Sequence, residues 1–149
     1  MPILGKECKF YYSAALLDGS TVTPALATWV EITNIKDLTL SGESGEADVT
    51  TRAAVDWRQT LATFKEGGLE FEMMWEPGDA AFEAMLTAWL TNGQIALAAM
   101  DGDIATSGSQ GLVSNFSVPK FTRNEPLEEG VTASVTVKPA SQTEWYKVV

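Results

Sequence analysis

Residues Asn34–Asn92, NIKDLTLSGESGEADVTTRAAVDWRQTLATFKEGGLEFEMMWEPGDAAFEAMLTAWLTN, decide the fold. Ile35–Gly42 alternates, with Leu38 and Leu40 on one face and Asp37, Thr39 and Ser41 on the other, as a strand with one buried face must. Gly42–Asp56 holds no period of 2 or 3.6 and is rich in Gly, Ser, Glu and Asp, which predicts a long loop. Loops of that length inside a small domain are usually functional. Arg58–Phe64 returns to a strand, and Lys65-Glu66-Gly67-Gly68 reads as a turn. Leu69, Phe71, Met73 and Trp75 then alternate with Glu70, Glu72 and Met74, a strand with a buried and a largely polar face.

Pro77-Gly78 breaks that strand, and Asp79 is placed to cap a helix by accepting a bond from a free backbone N–H. Phe82 stands where a capping box would need Glu or Gln, so that motif is absent. Phe82, Met85, Leu86, Trp89 and Leu90 fall on one apolar stripe, and Gly93 is read as the left-handed stop. The helix is therefore expected over about 79–92.

Outward from this stretch the chain is mostly strand. Glu7–Leu17 is apolar and aromatic and is expected to form the first strand, ended by an Asp18-Gly19 turn. Thr21–Ala27 contains Pro24 and reads as a loop, and Thr28–Thr33 as a short strand. Gln94–Met100 and Gly111–Thr122 are further strands, with a bulge or edge expected at Pro119. Asn124-Glu125-Pro126 is a turn. Val131, Ala133, Val135 and Val137 alternate with polar residues in the last strand, and Pro139–Val149 is left as a tail.

Composition narrows the chemistry. With 149 residues, 45% of them apolar and 20% charged, one domain with a real core is expected, not disorder. No run of 18 apolar residues crosses a membrane and no secretory signal is evident. The chain has no His and a single Cys, so triads, the usual zinc ligands and an intrachain disulfide are all missing. Cys8 is read as a semi-buried residue of the first strand. A net charge of −10 opposes binding to nucleic acid or anionic lipid.

No catalytic, cofactor or metal site is expected. Glu43, Glu46 and Asp48 do not fit an EF-hand, and Asp101-Gly102-Asp103 lacks the distal Glu; both read as solvated turns. With 20 acidic residues, carboxylate pairs are bound to occur, and none is singled out for glycosidase chemistry. Trp75 and Trp89 lie on apolar stripes and read as core, whereas Trp57 and Trp145 sit in irregular segments and read as interface. Lys36, Arg52, Arg58 and Lys65 are too scattered for a nucleic-acid patch.

The order NIKDLTLSGESGEADVT, a Trp-containing segment, LEFEMMWEPGD and AAFEAMLTAWLTNG, followed by GLVSNFSVPKF, NEPLEEG and VTASVTVKP, resembles the major tail tube proteins of long, non-contractile-tailed bacteriophages. The N-terminal domain of the bacteriophage lambda tail tube protein belongs to that group. The resemblance covers about Trp29–Pro139. It implies a mainly β, sandwich- or barrel-like tail tube fold with one flanking helix, as a single domain over 1–149. It also implies six copies per ring, sheets joined into one inner barrel, and rings stacked into a DNA conduit.

The same resemblance implies that the segment Gly42–Trp57, with Gly42, Glu43, Glu46, Asp48, Arg52 and Trp57, reaches the neighbouring ring. Glu70, Glu72 and Asp37 would face the lumen, and Phe82, Leu86 and Trp89 would anchor the helix. Expected partners are other copies and the tape measure, tail tip and tail terminator proteins, with DNA passing and no membrane. The place would be the virion tail, assembled in the host cytoplasm. A tail terminator, a head–tail connector ring or the tube of a contractile injection system, including type VI secretion, are the alternatives.

Overall fold

The computed structural model describes residues 2–17 and 29–148. The Asp18-Gly19 turn and the Thr21–Ala27 loop lie outside them. Seven strands follow one another as β1 (Lys9–Ser13), β2 (Val30–Glu31), β3 (Ile35–Asp48), β4 (Thr60–Met74), β5 (Gln94–Met100), β6 (Gln110–Asn124) and β7 (Thr132–Lys147), with helix α1 (Ala80–Leu90) between β4 and β5. They form one sheet in the order β2-β1-β5-β6-β7-β4-β3, antiparallel throughout.

This sheet rolls up. Laid flat, β1 and β4 would lie four strand spacings apart, about 19 Å. Instead the rings of Phe10 on β1 and Phe71 on β4 have centroids 5.1 Å apart. The chain also passes from β2, at one end of the strand order, to β3, at the other, over Ile32–Asn34 alone. Asn34 fastens that crossing, accepting from Met74 N–H (2.8 Å) and donating its side-chain amide to Met74 C=O (3.2 Å). The result is the barrel-like body that the resemblance implies.

The curvature comes from register breaks between β6 and β7. One extra residue on β6 at Pro119 lies between the pairs Ser117↔Lys138 and Lys120↔Thr136, the bulge that a proline in a central strand requires. A second break, near Ser141–Glu144, carries Gln142 at φ 53°.

Inside the roll, Leu69, Phe71 and Met73 of β4 pack with Ala133, Val135 and Val137 of β7, Ile95 and Leu97 of β5, Phe116 of β6 and the helix. On the other side of β5, Ala96, Ala98 and Met100 meet Tyr11, Leu17 and Val113. β5 is thus buried on both faces, which is why QIALAAM has no polar alternation. Asn115, buried in β6, acts as a piece of backbone. Its amide donates to Leu17 C=O and accepts from Leu17 N–H, both at 2.8 Å, and so ties the chain beyond β1 to the sheet.

The helix begins where expected, Asp79 Oδ2 accepting from Phe82 N–H at 3.1 Å. Its ending differs in detail. Asn92, not Gly93, takes the left-handed conformation (φ 54°), while Gly93 N–H reaches Ala88 C=O and Asn92 N–H reaches Trp89 C=O. That is a Schellman closure, which Asn tolerates because its short polar side chain suits positive φ. The face against the core is also rotated from the expected stripe. Ala81, Phe82, Met85 and Ala88 are buried, Leu86 is half-buried, and Trp89 and Leu90 reach solvent. Trp89 covers Phe121 as a stacked lid (5.5 Å, 22°) instead of an inserted anchor.

Further expectations are corrected. β1 covers only Lys9–Ser13 of the expected Glu7–Leu17, a short 3-10 turn occupies Gly5–Glu7, and Cys8 is exposed between them. Lys65-Glu66-Gly67-Gly68 lies inside β4, not in a turn. The glycines are there because β4 is flanked closely on both sides. A Cβ on Gly67 would meet Ser41 O at 2.7 Å, and one on Gly68 would meet Val137 O at 2.8 Å. Most of the expected tail continues β7 to Lys147.

Candidate assembly surfaces

The strands β3, β4, β7 and the distal half of β6 form a four-stranded section whose two faces have opposite chemistry. Odd-numbered residues of β4 and β7 enter the core, so the even-numbered ones share the outer face. Register lines them up. Thr39, Glu70, Thr136 and Lys120 form one row across β3, β4, β7 and β6. Glu72, Ser134 and Thr122 form the next, with Asp37 beside them. The three carboxylates singled out in the sequence, Asp37, Glu70 and Glu72, thus line one shallow depression of about 450 Å³. Lys120 is its one basic lining residue. The polar period of β7 signalled Ser134 and Thr136, but Lys120 reaches this face only through the Pro119 bulge, which sequence spacing could not phase.

Both margins of this section are open among the described residues. β3 pairs only with β4, and β6 beyond Ser117 pairs only with β7. Unpaired N–H and C=O groups along such margins are templates for another strand.

The segment read as a loop over Gly42–Trp57 is mostly a second structure, an arm. The β3–β4 ladder continues past Ser41↔Gly68 through Gly42↔Gly67 and Glu43↔Glu66 to Asp48↔Thr60, nearly all of it exposed. Gly42, Glu43, Glu46 and Asp48 are therefore strand residues, while Arg52 and Trp57 belong to the tip. The ladder was invisible to periodicity because neither face is buried there, so nothing selects alternate apolar residues. The seven residues of β3 from Gly42 to Asp48, six of them paired with β4, extend about 24 Å at the usual strand rise.

Thr50 closes the base of the tip. Its hydroxyl accepts from Gln59 N–H at 2.8 Å, and Val49 N–H reaches Gln59 C=O at 3.0 Å. Thr50 N–H donates to Asp48 Oδ1 at 2.9 Å. Hydrogen bonding from the Thr50 side chain and then its backbone holds the Asp48 carboxyl below the usual carboxylate range. The depressed value means this contribution is present while Asp48 is ionised and is lost as pH falls through its folded-state value. Asp-x-Thr is the one local signal for this closure.

The arm is polar in charge but not in all its side chains. Val55, Trp57, Leu61 and Phe64 are 81%, 84%, 61% and 89% exposed. Trp145, the other tryptophan read as interface, is also solvent-facing, its indole N–H donating to Gln110 Oε1 at 3.1 Å.

No protein-family model and no curated protein matches this sequence. Solved structures do. A chain in the tail of an empty gene transfer agent particle with C6 symmetry has a TM-score of 0.72 at 12% identity, over 97% of this chain and 99% of that one. The SPP1 tail tube gives 0.71 at 15% identity, over 99% of this chain and 81% of its own.

The chain has the tail tube fold. A chain of the anti-feeding prophage baseplate gives 0.62 at 8% identity over 99% of this chain and 97% of that one. Within the tail tube fold found here, the expected mainly β body with one flanking helix is present. So are the polar sheet face and the extension from β3 to β4, built as a hairpin.

Proposed function

We propose that this chain is the structural subunit of a tail tube: six copies form a ring, and stacked rings form the conduit through which DNA leaves the particle. The observation that carries the reading is the four-stranded section with two open margins. Closing such sections edge to edge around an axis removes every free edge, which a lone subunit cannot do. The C6 symmetry of the gene transfer agent tail supports the number six. The subunit would sit in the virion tail after assembly in the host cytoplasm, with tape measure, tail tip and terminator proteins as its other partners. A structural and not enzymatic role is supported by a chain without His and with one Cys. Among the described residues no helix is long and apolar enough to cross a membrane.

Purified protein followed by sedimentation and negative-stain microscopy over a wide concentration range should show hollow sixfold tubes. A chain that stays monomeric even beside tail initiator and tape-measure proteins defeats the proposal, and rings that never stack make it a terminator or connector.

In this reading the face bearing Asp37, Glu70 and Glu72 lines the channel. Six copies at −10 carry a formal −60 per ring, and acidic walls repel phosphate where Lys and Arg would hold it by counterion release. Replacing Glu70 and Glu72 by Lys should leave assembly intact, because neither side chain enters the core. The tubes should then retain DNA at low salt and release it as salt rises. Double-mutant tubes that ignore DNA at low salt, with unchanged particle infectivity, would place these residues outside the channel.

A further inference from the structure

The apolar face of the four-stranded section is cut short at both margins. Register places Leu38, Phe71, Val135 and Phe121 in one row across β3, β4, β7 and β6. A row that is core in its middle therefore ends at Leu38 on one margin and at Phe121 on the other. At the β3 end Leu38 is half-buried and Leu40, on the same face, is exposed. At the β6 end Phe121 is half-buried under Trp89, and Trp89 and Leu90 reach solvent. These are the two ends of one apolar layer, not single surface residues scattered at random.

We propose that the last turn of α1 in one copy clasps the base of β3 in the next, with Trp89 and Leu90 closing over that copy's Leu38 and Leu40. This rests on the tube reading, whose edge-to-edge pairing uses backbone alone, and adds to that seam a second layer of side chains. The path of the chain puts the helix end in the right place. Thr91–Gly93 leads from α1 straight into β5, which pairs with β6 from Gln94↔Ser117 to Met100↔Gly111. β5 thus takes the same flank of β6 that is free beyond Ser117, and the helix ends beside that free flank.

Within one copy the two ends do not meet. Leu38 and Leu40 line a groove beside the start of β1, to which α1 contributes no residue. Rotation about a ring axis keeps each row at its height apart from strand tilt, and so brings Leu38 of one copy beside the Phe121 row of another. The opposite face agrees. Lys120, the one basic residue lining its depression, stands on the β6 margin, and Asp37 stands on the β3 margin. Lys36, next to Asp37, lines the groove and not the depression. Opposite charges meeting across the seam would fix its register more than its strength.

Cysteine pairs test the seam in the assembled tube. Leu40→Cys and Leu90→Cys are combined with Cys8→Ser, because Cys8 is exposed and lines the same groove as Leu40. Mild oxidation should give a ladder on non-reducing gels that stops at six chains, since a seam within a ring closes on itself and a contact between rings does not. Either new cysteine alone should give nothing beyond a dimer. Leu90→Lys, at an exposed position where a helix end tolerates a base, should leave the monomer's circular dichroism unchanged. It should raise the concentration needed for assembly at least tenfold. Lys120→Asp should weaken assembly, and Asp37→Lys added to it should restore assembly.

Tubes of the cysteine pair that give no ladder, a ladder that runs past six chains, normal assembly of Leu90→Lys, or no rescue by Asp37→Lys would each overturn this seam while leaving the tube reading intact. Native protein that forms no tubes would overturn both.

Discussion

Phe82→Ala is expected to destabilise the folded monomer by about 3–5 kcal/mol, the usual cost of emptying a buried aromatic site. Phe82 is 1% exposed, and it is where the helix meets the sheet. Trp75 lies edge-on to it at 4.8 Å, and Phe121 is 6.4 Å away. The Arg123 guanidinium lies 5.0 Å from the centre of the Trp75 ring, and Trp89 stacks on Phe121. These rings are therefore poorly free to collapse into the vacated space, and the cavity term should be near its upper range. The Asp79 cap bonds the Phe82 backbone and survives the substitution. Denaturant midpoints should be read at concentrations where the protein is monomeric, since assembly adds its own apparent stability. A loss below about 1 kcal/mol would mean that the helix is not seated on the sheet through this residue.

Gly111→Val should be as damaging by the opposite route. A Cβ at Gly111 would meet the backbone of β5, lying 2.7 Å from Ala99 C and 2.8 Å from Met100 Cα. Backbone gives way far less readily than a flexible side chain. β5 has no direction in which to retreat, being packed on both faces. The β5–β6 ladder would have to part at Met100↔Gly111, next to the Lys9↔Met100 pair that holds β1. The expected cost is about 3 kcal/mol or more, at or above the top of the usual overpacking range. Near-ultraviolet circular dichroism and thermal unfolding would measure it, with Gly111→Ala as a graded step. A valine variant with native dichroism and an unchanged midpoint would show that the two strands are not this close.

Legibility followed burial. Leu69–Trp75 could be read because a core lies under one face and solvent over the other, and the helix because Asp79 and the Phe82–Met85 spacing act locally. The acidic trio followed from the same alternation. The arm could not be read, since a hairpin wet on both faces imposes no period on GESGEAD. The β7 extension failed for a different reason: the break at Gln142 resets the phase before TEWYK. The helix face was misjudged because Ala81 and Ala88, small enough to approach the sheet, carry less apolar signal than Trp89 and Leu90. Thr50 and Lys120 matter only through partners that the bulges and the tip bring to them.

The short crossing at Ile32–Asn34 has a consequence for the order of folding. It places β3 and β4, sequence neighbours, in a hairpin that can zip locally, while β1 waits for β5, with Lys9 pairing Met100. Closing such separated segments is slow, since loop entropy is lost before the contacts form. During synthesis the hairpin thus emerges with both flanks bare, beside other nascent copies in the same state. Bare flanks of this kind invite premature association. Glu43, Glu46 and Asp48 line the exposed edge strand of that hairpin, where like charges set opposite one another disfavour the pairing of two such edges.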